Sequence, residues 1–165
     1  MDDKDAVRRD GDERTTLTQW LDFHRASLVR KVEGLTDEQA RTSPVSIDLA
    51  GLVSHLLYVE RFWFTVVVDG QENADLPWDD DDPNADPDVD WKPAEPLADL
   101  VRRYEEECAR SNEILARHDL DRVIESGERA GVNVRWVLAH MVEETARHVG
   151  HADILRELID GATGV

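Results

Sequence analysis

His55, Glu144 and His148 have the residue types and spacing to hold one divalent metal ion from two helices. Glu144 and His148 are four residues apart, so on a helix their side chains share a face about one turn (~5.4 Å) apart. They belong to the series Val137, Met141, Glu144, His148, His151 and Leu155, spaced by four, three, four, three and four. That is one stripe at helical period, apolar at both ends and ionisable for two turns between. His55 lies three residues after Leu52 and four before Val59, on or beside the stripe of another predicted helix. A buried carboxylate is costly unless paired or metal-bound, and two imidazoles add polar groups that need partners. A divalent ion satisfies all three, and helices of a bundle build metal sites from such inward residues. Taken alone, His55 reads as a structural histidine and Glu144 with His148 as a surface pair. Together on inward faces they read as ligands, with a buried hydrogen-bonded network as the rival. Zinc suits the nitrogen and oxygen donors best, with nickel or iron as alternatives. Three protein ligands leave a position for water or substrate, as in catalytic zinc sites.

Other reactive groups carry weaker signals. Eight aspartates fall between Asp75 and Asp90. The run lacks the central glycine and closing glutamate of a calcium loop, and it reads as a solvated acidic loop. The single cysteine, Cys108, reads as a small core residue on a helix. Asn112 lies beside that helix's inner face, as a satisfied polar group or a ligand contact. His140 drifts to the side of its stripe and reads as structural or exposed, while His24 and His118 have no placeable partner.

Four helices must position these residues. The first follows Thr15-Thr16 as capping residues, carries Leu17, Trp20, Leu21, His24, Leu28, Val32 and Leu35, and ends near Gly34. Thr36 to Gln39 can open a further short turn. The second runs from about 49 to 68, capped by Ser46 or Asp48 and stopped by Asp69-Gly70. A long loop then extends to residue 94 without usable periodicity, with prolines at 77, 83 and 87. The third helix starts at Pro96 and reaches about His118, with Leu97, Val101, Tyr104, Cys108 and Leu115 inward. The fourth runs from an Asn133 cap to Asp160, closed by Gly161. The pattern predicts an all-α, up-and-down four-helix bundle in residues 15–165, behind a loosely ordered tail of residues 1–14.

Composition narrows the function. A chain of 165 residues is the size of one domain, and 41% hydrophobic content is ordinary for a folded one. The formal net charge of −18 argues against nucleic-acid backbones and anionic membrane surfaces as partners. The apolar stretch from Phe62 to Val68 is too short to span a bilayer. The charged N-terminal residues do not resemble a signal peptide, and one cysteine suits a reducing compartment, so a cytoplasmic location is expected. Three lysines against sixteen arginines suggest a GC-rich genome.

The segment His140-Met-Val-Glu-Glu144-Thr-Ala-Arg-His148-Val-Gly-His151-Ala-Asp-Ile-Leu-Arg156-Glu resembles the last-helix signature of the DinB-like superfamily. Leu49-Ala-Gly-Leu-Val-Ser-His55-Leu-Leu-Tyr-Val-Glu60-Arg-Phe-Trp63 is similar to its second-helix motif. The mini-circle protein branch, with an acidic, tryptophan-containing middle loop, looks nearest. The resemblance extends from Leu17 to Gly161. It implies a homodimeric four-helix bundle whose metal is held by His55, Glu144 and His148.

Two departures stand out. Most members have histidine at the place of Glu144, while the mycothiol-dependent maleylpyruvate isomerase branch is similar in having glutamate. The usual His-Arg-Gly-Gln ending reads His148-Val-Gly-His151, which leaves His151 as a fourth ligand, a support for the ligands or a proton shuttle. The resemblance further implies thiol-dependent transfer or isomerisation with mycothiol, bacillithiol or glutathione. The expected function is therefore a metal-dependent thiol S-transferase acting on a small thiol and an electrophile. Arg156 or Arg147 is the candidate for binding a substrate carboxylate. A metal-dependent hydrolase and a non-catalytic, stress-associated dimer that binds metal or a small ligand are the alternatives.

Overall fold

The structure is a computed structural model that describes residues 7–71, 74–77, 84, 88–127 and 129–164. The expected tail thus falls partly outside the described residues, as do Trp78 and the centre of the acidic run. Among the described residues there is no strand, only an isolated bridge between Val123 and Asn133. The helices are α1 (Glu13–Val32), α2 (Asp37–Ala40), α3 (Leu49–Glu60), α4 (Leu97–Arg117) and α5 (Val134–Asp160). A π-helical segment, Arg61–Val68, continues α3, and a 3-10 turn, Val89–Trp91, precedes α4.

The start signals act locally, with one shift. Asp12, not Thr15 or Thr16, caps α1, its carboxylate accepting the Thr15 amide at 2.7 Å. Thr36 and Gln39 form a reciprocal capping box on α2. Asp48 caps α3 through the Gly51 amide, Asn133 caps α5 through the Trp136 amide, and Gly161 ends α5 at a φ of 76°.

The chain divides into two compact units, Met1–Glu33 with His118–Val165, and Gly34–Arg117. In the first, α5 lies alongside α1. Arg135 near the start of α5 binds Glu13 near the start of α1 at 2.7 and 3.1 Å. Arg156 near the end of α5 donates to the Lys31 and Glu33 carbonyls at the end of α1, at 3.0 and 2.9 Å. The two helices therefore run parallel.

In the second unit, Arg61 pairs with Glu107 and Asp69 with Arg117, so α3 with its π-helical extension also runs parallel to α4. An up-and-down order makes both neighbours antiparallel, and that expectation is corrected. The long connection between residues 71 and 94 is what a parallel neighbour requires, because the chain must return to the same end before starting α4.

The interior is also more polar than the apolar stripes suggest. On α4 the buried face runs through Leu97, Leu100, Tyr104, Glu107, Ser111, Ile114 and Leu115, while Val101 and Cys108 are half-buried. Glu107 can turn inward because Arg61 meets its Oε2 through Nε and Nη2 at 3.0 and 2.8 Å. On α1, Arg25 and Lys31 are buried with Leu21, Leu28 and Val32, and are paired to Asp22 and Asp153. Leu49–Val68 is long and apolar enough to cross a membrane by those two measures, with a mean hydropathy of 1.3. It is buried over 72% of its most apolar window and carries Glu60 and Arg61, which assigns it to the protein interior.

Candidate metal centre

The candidate ligands fall in the two units, and each set has its own local support. His55 lies mid-way along α3, whose buried residues surround nearly the whole helix. Its imidazole Nδ1 is 2.6 Å from Oδ2 of Asp90, a buried carboxylate in the 3-10 turn. Trp91, next in the chain, lies flat against the same ring, with centroids 4.1 Å apart and planes 12° apart. An ionised carboxylate only accepts, so Nδ1 of a neutral His55 carries the proton and Nε2 keeps a lone pair.

Glycine is required one helical turn earlier. A β-carbon on Gly51 would overlap the Trp91 carbonyl oxygen, so its absence lets the turn lie against α3. Asp90 and Trp91 were not among the residues singled out by sequence. Asp90 looks like its neighbours in an acidic run, and only its position between Val89 and Trp91 distinguishes it.

Glu144 and His148 project from the middle of α5, each 7% exposed, which excludes the surface-pair reading. His148 Nε2 is 2.9 Å from Glu144 Oε1, so the i,i+4 spacing gives a contact. The other carboxylate oxygen, Oε2, accepts from the half-exposed Arg147 guanidinium, an attraction that steadies the carboxylate and moderates its charge. His151 is exposed and meets the His148 ring edge-on, centroids 5.5 Å apart.

Arg156 is placed differently. Besides the α1 carbonyls, its Nε lies 3.1 and 3.0 Å from the two oxygens of Asp160. His140 stacks on Trp136 at 5.1 Å, and His24 lies between Trp20 and Phe23, where burial lowers its pKa. His118 faces Arg122 at 3.0 Å. An open groove of about 380 Å³ on α4, lined among others by Glu106, Arg110 and Glu113, contains none of the candidate residues.

The donor chemistry fits a divalent ion. In one unit His55 offers an imidazole nitrogen, and in the other Glu144 and His148 offer a carboxylate oxygen and an imidazole nitrogen, the donor types such an ion takes. Each is buried or half-buried, and Asp90 beside His55 and Arg147 beside Glu144 restrict those side chains, as a metal site requires of its ligands.

Comparison with known proteins agrees with the helical architecture. A conserved protein from Enterococcus faecalis, known from its crystal structure, superposes with a TM-score of 0.64 at 17% identity. The alignment covers 88% of this chain and 96% of that one, and at such identity it speaks for the fold. Helix content and this likeness define the fold as an all-α one. The sequence also matches the model of the mycothiol-S-transferase family over residues 16–161, a span that runs through both units. This chain belongs to that family. No curated protein matches it.

Proposed function

We propose that the chain is a metal-dependent S-transferase that uses mycothiol or a similar low-molecular-weight thiol, with His55, Glu144 and His148 as the metal ligands. The family match supports the thiol chemistry. The observation that carries the metal reading is the buried carboxylate–imidazole pair on α5, Glu144 with His148 at 2.9 Å. On one buried helix face that pair presents a carboxylate oxygen and an imidazole nitrogen a turn apart, the donor types from which helical bundles build metal sites. Zinc is the ion that this donor set favours, and the anionic Glu144 makes the site one charge more negative than three imidazoles would.

Bound there, a divalent ion supplies the Lewis acidity that keeps a thiol sulfur ionised near neutral pH. The chain's residues do the rest. Arg147 holds Glu144 in place from its outer oxygen. His151, exposed beside His148, takes up the thiol proton and releases it to solvent. The sulfur forms a bond to an electrophilic carbon as the leaving group departs with its bonding pair, so charge and protons balance. The enzyme works in the cytoplasm.

A second copy of the chain completes the assembly. Trp136, Ile154 and Leu158 on α5 are 48%, 61% and 62% exposed. Ile154 and Leu158, four residues apart near the end of α5, share one face and supply an apolar patch for a dimer contact, whereas Trp136 lies five turns away beyond the exposed Glu143 and Arg147.

The test uses untagged protein. Metal content is measured by elemental analysis, and conjugation of a chlorinated dinitrobenzene is followed with mycothiol, bacillithiol and glutathione in turn. The expected result is stoichiometric metal, lost in His55→Ala, and a rate that depends on both metal and one thiol. Negligible metal, unchanged by His55→Ala, would overturn the metal site. Full metal without thiol-dependent turnover would leave a binding protein.

A further inference from the structure

We infer that Asp90 is a positioning residue for His55: its carboxylate holds the imidazole in the Nδ1–H form, so that Nε2 carries no proton and has its lone pair for ligation. The inference rests on the metal reading above and extends the centre into the acidic connection between α3 and α4. Three features of one short turn act on the same ring. The Asp90 carboxylate fixes the tautomer through the 2.6 Å contact, and its burial, at 6% exposure, shields that contact from competing water. Trp91 fixes the ring plane by stacking at 4.1 Å. Gly51 leaves room for the turn's backbone.

Neutral histidine in water favours the proton on Nε2, the atom a metal needs. Without Asp90, ligation would first require tautomer exchange. With Asp90 the ring is preset, and the nearby negative charge makes Nε2 a stronger donor. Asp90 thus differs from the aspartates around it: it belongs to the ligand set's support, while Asp75 and Asp88 are exposed.

The experiment starts with metal-free, ¹⁵N-labelled protein. Imidazole nitrogen–proton correlation spectra, assigned with His55→Gln, should show His55 protonated on Nδ1. Asp90→Leu should return the proton to Nε2. Asp90→Asn, which keeps the shape and loses the charge, should weaken zinc binding by about 10- to 100-fold in competition with a chromophoric chelator. Far-UV circular dichroism checks that each variant is folded, and Asp90→Asn carries the test if Asp90→Leu is not. An Nε2–H tautomer in the wild type would overturn the inference. So would unchanged zinc affinity in Asp90→Asn when His55→Ala abolishes binding. If the wild type shows the Nδ1–H form but takes up no zinc, the metal reading fails, and the ligand-positioning role falls with it.

Discussion

The backbone of Trp91 passes Gly51 so closely that a β-carbon there would overlap the Trp91 carbonyl oxygen and stand 3.1 Å from its carbonyl carbon. The obstacle is backbone, which cannot swing aside as a flexible side chain can. Gly51→Ala should therefore push the Val89–Trp91 turn away from α3 and cost about 1–3 kcal/mol, as overpacking does. Denaturant unfolding measures that loss, and zinc affinity should fall with it. Gly150, on α5, is the control: its β-carbon would meet nothing within 4 Å. Gly150→Ala should stabilise by about 0.5–1 kcal/mol from helix propensity alone. Equal effects at the two sites would refute the steric account.

Glu107 anchors the polar interior of the second unit. Its Oε2 receives two donors from Arg61, and its Oε1 lies 3.4 Å from the Thr65 hydroxyl. Arg61 also donates to the Asp75 carbonyl at 2.7 Å. Glu107→Ala removes the carboxylate and leaves a guanidinium that is mostly withdrawn from water. The expected loss is about 2–4 kcal/mol, with Glu107→Gln milder, because an amide oxygen still accepts. Thermal unfolding of both variants decides it. A loss below that of an ordinary surface substitution would show that Arg61 finds water instead.

Local chemistry was legible in the sequence, and long-range chemistry was not. Glu144 and His148 could be paired from spacing alone, since a helix fixes what residues four apart can reach. Asp48, Thr36, Asn133 and Gly161 were legible for the same reason. His55 and Asp90 are 35 residues apart, joined by a turn that no periodicity announces. The α4 stripe was misplaced towards Val101 and Cys108 because a buried Glu107 breaks the hydrophobic pattern. It makes sense only beside Arg61. Helix direction was misread because a connection as long as 71–94 lets the chain return to either end. The π-helical Arg61–Val68, where the Asp69 amide reaches the Phe64 carbonyl at 2.9 Å, has no sequence signal that separates it from an α-helix.

His24 makes stability depend on pH in a defined direction. Burial beside Trp20 and Phe23 lowers its pKa below the usual 6.5. The unfolded chain then binds a proton at a higher pH than the folded one, so stability falls as pH drops through 6.5 and levels off below the folded pKa. Above 6.5 the residue contributes no pH dependence. His24→Gln should flatten the slope of Tm against pH just below pH 6.5 relative to wild type. Parallel slopes in the two proteins would exclude His24 as the source.

Arg156 closes the end of α1. Its Nη1 reaches the Lys31 and Glu33 carbonyls, which are groups that a helix C-terminus leaves without internal partners. A cation there also meets the negative end of the helix dipole. Arg156→Ala should cost about 1–2 kcal/mol in unfolding experiments. It should leave KM for a carboxylate-bearing electrophile unchanged. Arg147→Ala should instead weaken metal binding, because Arg147 holds the outer oxygen of Glu144. A raised KM confined to carboxylate substrates in Arg156→Ala would instead make Arg156 a substrate contact, as the sequence reading expects.

The proposed dimer must form against charge. Two copies each carrying −18 repel, and salt screens that repulsion over a Debye length of about 8–10 Å at moderate ionic strength. The apolar pair Ile154 and Leu158 is insensitive to screening. Association should therefore strengthen as salt rises from about 0.02 to 0.5 M, opposite to an interface held by ion pairs. Ile154→Glu adds a charge at a 61% exposed position and should give monomers at all salt concentrations, with unchanged circular dichroism. Light scattering after size-exclusion chromatography reads both effects. A dimer that persists in Ile154→Glu, or weakens with salt, places the contact elsewhere.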